Sequence, residues 1–383
     1  MSNDMKKSVM YGGGSIGRGF LGQLFHMSGY STCFIDVDKK LVDELSSKHE
    51  YEIKIALPTG YESQTIKNVT AVNGLDSEEV AEVISQCDIM ATAVGVNILP
   101  RIAKAIAMGL DLRFEMNNPP LDIIVCENMS DGGNHLKGLV LEHAVHKDFI
   151  ETSIGFVSAS VGRMVPVSES ADIIVESYNE LPIDRDALKT DVSRLMNFIP
   201  VSPFAIEKYK KYFMHNMSHA IVAYMGYSKG YEFLWQAMQD REILDTAKKA
   251  LGESIEAISR YFGVDKKPLE SYADDLLGRY TNKYLGDTVL RVGRDPIRKL
   301  GKDDRLSGAS LFCLKNGVEP EYIIYGIAYA LCFDPSDDVS ASILQEYISE
   351  NGITSAIRNY TGIDESSELL SDIVKIYSLI KQR

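Results

Sequence analysis

The stretch that decides the fold is KSVMYGGGSIGRGFLGQLFHMSGYSTCFIDVD, residues 7–38. A short apolar run, Ser8 to Tyr11, leads into glycines. Residues 15–29 then carry apolar side chains at helical spacing and close on Gly29. The next run, 30–38, is rich in β-formers and ends on acidic residues. Strand, glycine turn, helix and strand together open a βαβ unit. Gly12, Gly14 and Gly17 fit the pattern G-x-G-x-x-G. In a chain with 29 glycines that match is weak alone, and its place between strand and helix strengthens it. Gly12 permits the tight turn, Gly14 lets the backbone approach a pyrophosphate, and Gly17 lets helix and strand pack closely. The helix N-terminus at Ser15 and Ile16 offers unpaired N–H groups and partial positive charge to that diphosphate.

The second strand ends in FIDVD. Asp36 follows Gly17 at the distance, about 20 residues, of the acidic residue that accepts from the adenosine ribose hydroxyls and repels a 2′-phosphate. This favours NAD as cofactor. Lys39 and Lys40 keep NADP as the lesser alternative, and a βαβ unit without a nucleotide is the bland one. A later strand closes in TAVG (92–95), whose backbone at Thr92 and Val94 is placed to pass under the nicotinamide half.

Further strand candidates are 51–57, 87–95 and 121–128, with helical stretches at 76–86 and 98–113. This alternation predicts a parallel sheet covered on both faces. Strands and turns continue through 152–166 and 171–181. From about residue 186 the period is mostly 3.6, with long helices expected at 204–227 and 232–262. The expected fold is therefore α/β, a Rossmann-type doubly wound domain (1–190) followed by a mostly helical domain (191–383). Two domains suit a chain of 383 residues.

Composition sets the outer limits. Apolar residues make up 45% and charged ones 25%, as in ordinary globular proteins. A net charge of −14 argues against broad nucleic-acid or acidic-membrane binding, which demands a basic surface. It leaves room for a small phosphorylated substrate in a local basic pocket. No apolar run reaches the ~20 residues of a transmembrane helix, and the N-terminus lacks the features of a signal peptide. The five cysteines are scattered and without a CxxC pair, which reads as free thiols in a reducing cytoplasm.

KYFMHNMSH, residues 211–219, is the candidate chemical centre. At ~100° per residue, with Lys211 at 0°, His219 falls near 80° and Asn216 near 140°. The three can converge on one cleft. A desolvated lysine suits the base that oxidation of a secondary alcohol requires, and the amide and imidazole suit the oxyanion and substrate contacts. Alternatively, His215 and His219, four apart, could clamp a metal. Against that, Asn216 stands where the zincin motif needs Glu, and no third ligand is evident. A solvated or core-lining helix is the third reading. RVGRDPIRKLGKDDR (291–305) concentrates cations in an acidic protein. It reads either as a salt-bridged surface segment or as a phosphate site, since guanidinium forks match phosphate geometry.

In order along the chain, GGGSIGRGF, FIDVD, TAVG, CENM, KYFMHNMSH and RVGRDPIRKL resemble the mannitol-1-phosphate 5-dehydrogenases, a branch of the polyol-specific long-chain dehydrogenases. The resemblance spans about residues 7 to 380. It implies Lys211 as general acid/base, with Asn216, His219 and Asn128 (of CEN) as substrate and oxyanion contacts. It implies no metal, and it makes His215 incidental. It implies a phosphate site at Arg294, Arg298 and Lys299. The implied activity is NAD-dependent interconversion of mannitol 1-phosphate and fructose 6-phosphate by a monomer or homodimer. Two positions depart from the family: Gly162 stands where VDRIVP has its aspartate, and Ser158 where the phosphate-specific enzymes often have Asp. Two rival functions therefore stay open. One is a related polyol or hexuronate oxidoreductase on an unphosphorylated substrate, and the other is a catalytically weak NAD-binding regulator.

Overall fold

The computed structural model describes residues 5–129, 131–165, 173–364 and 367–382. The ends of two expected strand segments, at 166 and 171–172, fall outside them. The chain divides into two compact units, Met1–Ala205 and Ile206–Arg383. The division lies past the 190/191 expected, because a pair of short strands keeps the chain in the first unit up to Val201.

The strands of the first unit are β1 (Lys7–Tyr11), β2 (Ser31–Asp36), β3 (Glu50–Leu57), β4 (Gly60–Lys67), β5 (Val69–Asn73), β6 (Ile89–Thr92), β7 (Leu121–Val125), β8 (Ile154–Ser158), β9 (Ile173–Glu176), β10 (Leu181–Asp184) and β11 (Phe198–Val201). Six of them form one sheet in the order β5-β2-β1-β6-β7-β8, parallel throughout. Numbered along that sheet this is 3-2-1-4-5-6, the doubly wound Rossmann order, whose switch point lies between β1 and β6. Residues of β6 and β7 are buried on both faces, as a parallel sheet with two covered faces requires. One core lies on each side. Met10, Phe20, Leu24 and Phe34 anchor the first; Val9, Ile106, Leu110 and Leu136 anchor the second. Helix starts are fixed locally. The Asp38 carboxylate accepts from Lys40 N and Leu41 N, and Asp76 does the same for Glu78 and Glu79.

Expectation and structure differ at residues 51–57. That run is β3, and it lies outside the main sheet. It pairs with β4 as an antiparallel hairpin and with β9 in parallel, forming a separate three-stranded sheet. The place beside β2 goes instead to β5, a short strand with two exposed positions.

The second unit is helical. The helix expected at 204–227 is present but not uniform: Ala205–Tyr209 is α, Lys210–Asn216 is a π-helical turn, and Met217–Ser228 is α again. The expected helix 232–262 is broken into Leu234–Ala237 and Arg241–Phe262. Asp240 caps the second piece through Glu242 N and Ile243 N, which starts a new helix there. Ile243, Ala247, Ala250, Leu251 and Ile258 bury one stripe of it, at the spacing of an amphipathic helix. Gly263, at φ 65°, ends it in the left-handed conformation that glycine adopts without strain. Among the described residues no helix is long and apolar enough to cross a membrane, and all five cysteines are free.

Candidate active site

The glycine turn follows β1 at the switch point. Gly12 has φ +101°, and a Cβ there would lie 2.6 Å from the Ala93 carbonyl oxygen. A Cβ at Gly17 would lie 1.9 Å from the Gly12 carbonyl oxygen, so only glycine lets the helix start this close to the strand. At Gly14 a Cβ would meet nothing within 4 Å. That open side, with Gly14 and Ser15 exposed and Ile16 half-buried, is space into which a diphosphate fits. Asp36, at the end of β2, accepts Gly13 N–H at 2.7 Å and Asp38 N–H at 3.0 Å. Arg18 closes the turn from the other side by donating Nε–H to the Gly13 carbonyl at 2.6 Å.

At the end of β6 the arrangement differs from expectation. The Thr92 side chain is fully buried and donates its hydroxyl to Glu127 at 2.8 Å, and Val94 N–H donates to the same carboxylate at 3.0 Å. Neither group is presented to a ligand. Burial pushes the Glu127 carboxyl above its ordinary range, and the donors from Val94 and Thr92 oppose that shift. Sequence reasoning passed over Glu127 beside Asn128. Its signal was a carboxylate two residues past the end of a strand buried at every position. Asn128 itself is exposed.

In the second unit, Lys211, Asn216 and His219 are all half-buried, whereas His215 is buried. Lys211 and Asn216 lie in the π turn, and His219 lies just beyond it. The wider turn brings Asn216 closer in angle to Lys211 than the ~140° of a regular α-helix. A widened turn leaves carbonyls looking for donors, and two side chains supply them. Tyr280 Oη–H donates to His215 O at 3.0 Å, and Ser218 Oγ–H donates to Met214 O at 2.7 Å. The Tyr280 ring stacks on His219, with centroids 4.9 Å apart and planes 17° apart.

Both histidines are held neutral. His215 is pushed well below its ordinary pKa by burial and by the charge of Arg279. His219 is pushed the same way, by burial first and then by Arg291, Arg305, Arg279 and Lys299. A positive field thus surrounds this helix in a chain of net charge −14. Asp287, which sequence reasoning did not single out, sits 3.4 Å from His219 Nε2 and ion-pairs with Arg291. The His215 and His219 rings are 5.8 Å apart, and no group of three or more His, Cys, Asp or Glu suited to a metal exists among the described residues.

The basic segment divides in three. Arg298 is held by Asp295 at 2.9 Å and by Asp304 at 3.5 Å. Lys299, expected as a phosphate ligand, is buried and donates to the Arg294 carbonyl, so its ammonium is not offered to a ligand. Burial and the neighbouring Arg305 and Arg298 lower its pKa to about 7. Arg294 is exposed, and its guanidinium has no partner among the described residues. At the two family departures, Ser158 is buried and its hydroxyl accepts Gly133 N–H at 3.0 Å. A Cβ at Gly162 would make only an ordinary 3.5 Å contact with Tyr178.

Two family models cover the chain: the mannitol dehydrogenase Rossmann domain matches residues 6–196 and the mannitol dehydrogenase C-terminal domain matches 201–381. The chain belongs to the mannitol dehydrogenase family. This family member is 38% identical to the mannitol-1-phosphate 5-dehydrogenase of Brevibacillus brevis, over 96% of each chain. It is 36% identical to that of Thermoanaerobacter pseudethanolicus, over 99% of each. It is a polyol dehydrogenase. Its fold matches that of a D-sorbitol dehydrogenase (TM-score 0.82, 17% identity, 99% of this chain and 94% of the other). It also matches the Pseudomonas fluorescens mannitol 2-dehydrogenase (TM-score 0.71, 16% identity, 99% and 92%).

Proposed function

We propose that the protein is an NAD-dependent polyol-phosphate dehydrogenase that interconverts mannitol 1-phosphate and fructose 6-phosphate. The observation that carries this reading is the helix bearing Lys211, Asn216 and His219, each only partly buried, in a field of arginines, within a member of this family. The open side of Gly14 fits a diphosphate, and Gly12, Ser15, Ile16 and Gly17 shape the same turn. Asp36 keeps lone pairs for ribose hydroxyls, which favours NAD. Thr92 and Val94 serve the site indirectly, by fixing Glu127.

When bound, the nicotinamide supplies the acceptor for the hydride that leaves C5 of the hexitol. The Lys211 amine takes the hydroxyl proton as the C–H bond breaks, and returns it to the ketone oxygen in reduction. Asn216 donates an amide N–H bond to that oxygen as negative charge develops on it, the role that the family resemblance also gives Asn128. His219 orients the substrate. Arg294 receives the phosphate, and Arg298 lends charge from its place between two carboxylates. Free thiols at all five cysteines agree with a reducing cytoplasm as the site of action.

The test is steady-state NADH oxidation with a panel of ketose phosphates, free ketoses and hexuronates. Fructose 6-phosphate should be preferred. Preference for an unphosphorylated ketose or hexuronate would replace the substrate, and tight NADH binding without turnover would replace the enzyme by a regulator.

A further inference from the structure

Asp287 lies between Gly286, at φ 69°, and Thr288, whose hydroxyl caps the helix Val289–Gly293 through Arg291 N. Its own carbonyl accepts Leu234 N–H at 3.0 Å, so its backbone is fixed on both sides. The carboxylate is buried. Oδ1 faces the Arg291 guanidinium, and Oδ2 faces His219 Nε2 at 3.4 Å. His219 Nε2 and Asp287 Oδ2 are each buried with no other hydrogen-bond partner among the described residues. Tyr280 lies flat against the imidazole and fixes its plane. A buried carboxylate facing an otherwise unpartnered ring nitrogen recruits N–H at that nitrogen.

We propose that Asp287 is a positioning residue for His219: it fixes the Nε2–H tautomer and leaves Nδ1 as a permanent hydrogen-bond acceptor for a substrate hydroxyl. This rests on the dehydrogenase reading given above. It assigns His219 a narrower task than proton transfer, since a ring that stays neutral and donates at Nε2 accepts at Nδ1 and carries no exchangeable charge. The groups around the ring agree. Arg291, Arg305, Arg279 and Lys299 oppose protonation, Asp287 is the carboxylate facing it, and Tyr280 and His215 are its ring neighbours. A polyol supplies the matching hydroxyl donors.

Arginine only donates, and this makes the proposal testable with one amide. In Asp287→Asn the side-chain carbonyl must face Arg291, which turns the NH2 toward His219. Nε2 must then accept, and the tautomer inverts. With selectively 15N-labelled histidine, and His219→Gln to assign the signal, wild type should show a neutral Nε2–H tautomer at pH 7–8 and Asp287→Asn a Nδ1–H tautomer. Asp287→Asn should also lose roughly 10²-fold in kcat, with NADH affinity unchanged. A Nδ1–H ring in wild type overturns the proposal without any variant being needed. An unchanged tautomer in the variant overturns it too, and so does an inverted tautomer with full kcat. Wild type that turns over no substrate of the panel sinks the dehydrogenase reading alone, because the tautomer is read without turnover.

Discussion

Asp36 accepts a hydrogen bond from Gly13 N–H at 2.7 Å, so the carboxylate expected to select the cofactor also holds the glycine turn. Asp36→Ala should therefore do two things. It should weaken NADH binding and relieve the repulsion against NADPH, and it should lower Tm, since a hydrogen bond to a charged group contributes about 1.5–3 kcal/mol. Titration of both cofactors together with a thermal melt checks this. Wild-type preference for NADPH would overturn the ribose assignment.

Lys211→Ala should lower kcat by roughly 10²–10⁴-fold, with NADH affinity near wild type. His215→Leu should leave kcat alone. Its Nδ1 is buried without a hydrogen-bond partner among the described residues, so an apolar side chain there removes an unsatisfied group and should hold or raise Tm. Equal loss of activity from His215→Leu and His219→Leu, reversed by added metal, would point to the histidine pair instead of the lysine.

The two exposed arginines should behave differently. Arg294→Ala should raise KM for a ketose phosphate but not for its unphosphorylated analogue, by the about 1.5–3 kcal/mol of a charge-assisted bond. Arg298→Ala mainly breaks partly exposed ion pairs, worth about 0–1 kcal/mol, and should be milder. The reverse order would place the phosphate on Arg298.

Lys299 gives a pH signature. Its folded-state pKa is lowered from 10.5 to about 7. Between those values the unfolded chain holds a proton that the folded chain has released, so stability rises with pH across that window. Wild type should gain stability relative to Lys299→Met as pH rises from 7 towards 10. The two neutral histidines act in the same sense lower down, costing stability as pH falls below 6.5. Tm profiles of the two proteins decide it, and a flat difference would refute the buried charge.

What the sequence disclosed was local in character. Gly12, Gly14, Gly17 and Asp36 sit in one βαβ unit, where spacing and geometry are nearly the same thing. The helix bearing Lys211 was legible from its apolar period. Its π turn was not, because a 3.6 period assumes the regular helix. Residues 51–57 read correctly as a strand, but the partner of a strand is a non-local fact, and the alternating polar run 60–67 gave no warning of the hairpin. Asp287 was hidden because its partner His219 is remote in sequence. Only Arg291, four residues on, hinted at a paired carboxylate. Arg298 and Lys299 looked alike as cations until Asp295, Asp304 and a buried carbonyl separated them.

The turn Lys210–Asn216 stores one surplus residue inside a helix that continues on both sides. Such a helix has a phase as well as a length. The side chains before the turn and those after it keep nearly the relative rotation of a regular α-helix one residue shorter, because the π turn rotates less per residue. Removing one residue between 210 and 216 would relax the turn to α geometry and leave Met217–Ser228 in phase with Ala205–Tyr209, so that Met217 and Ile221 would stay buried and His219 would stay beside Tyr280. The same deletion within Met217–Ser228 would instead shift every later side chain of that helix by about 100°. The fold should therefore tolerate loss of one residue from the turn far better than from the helix that follows it.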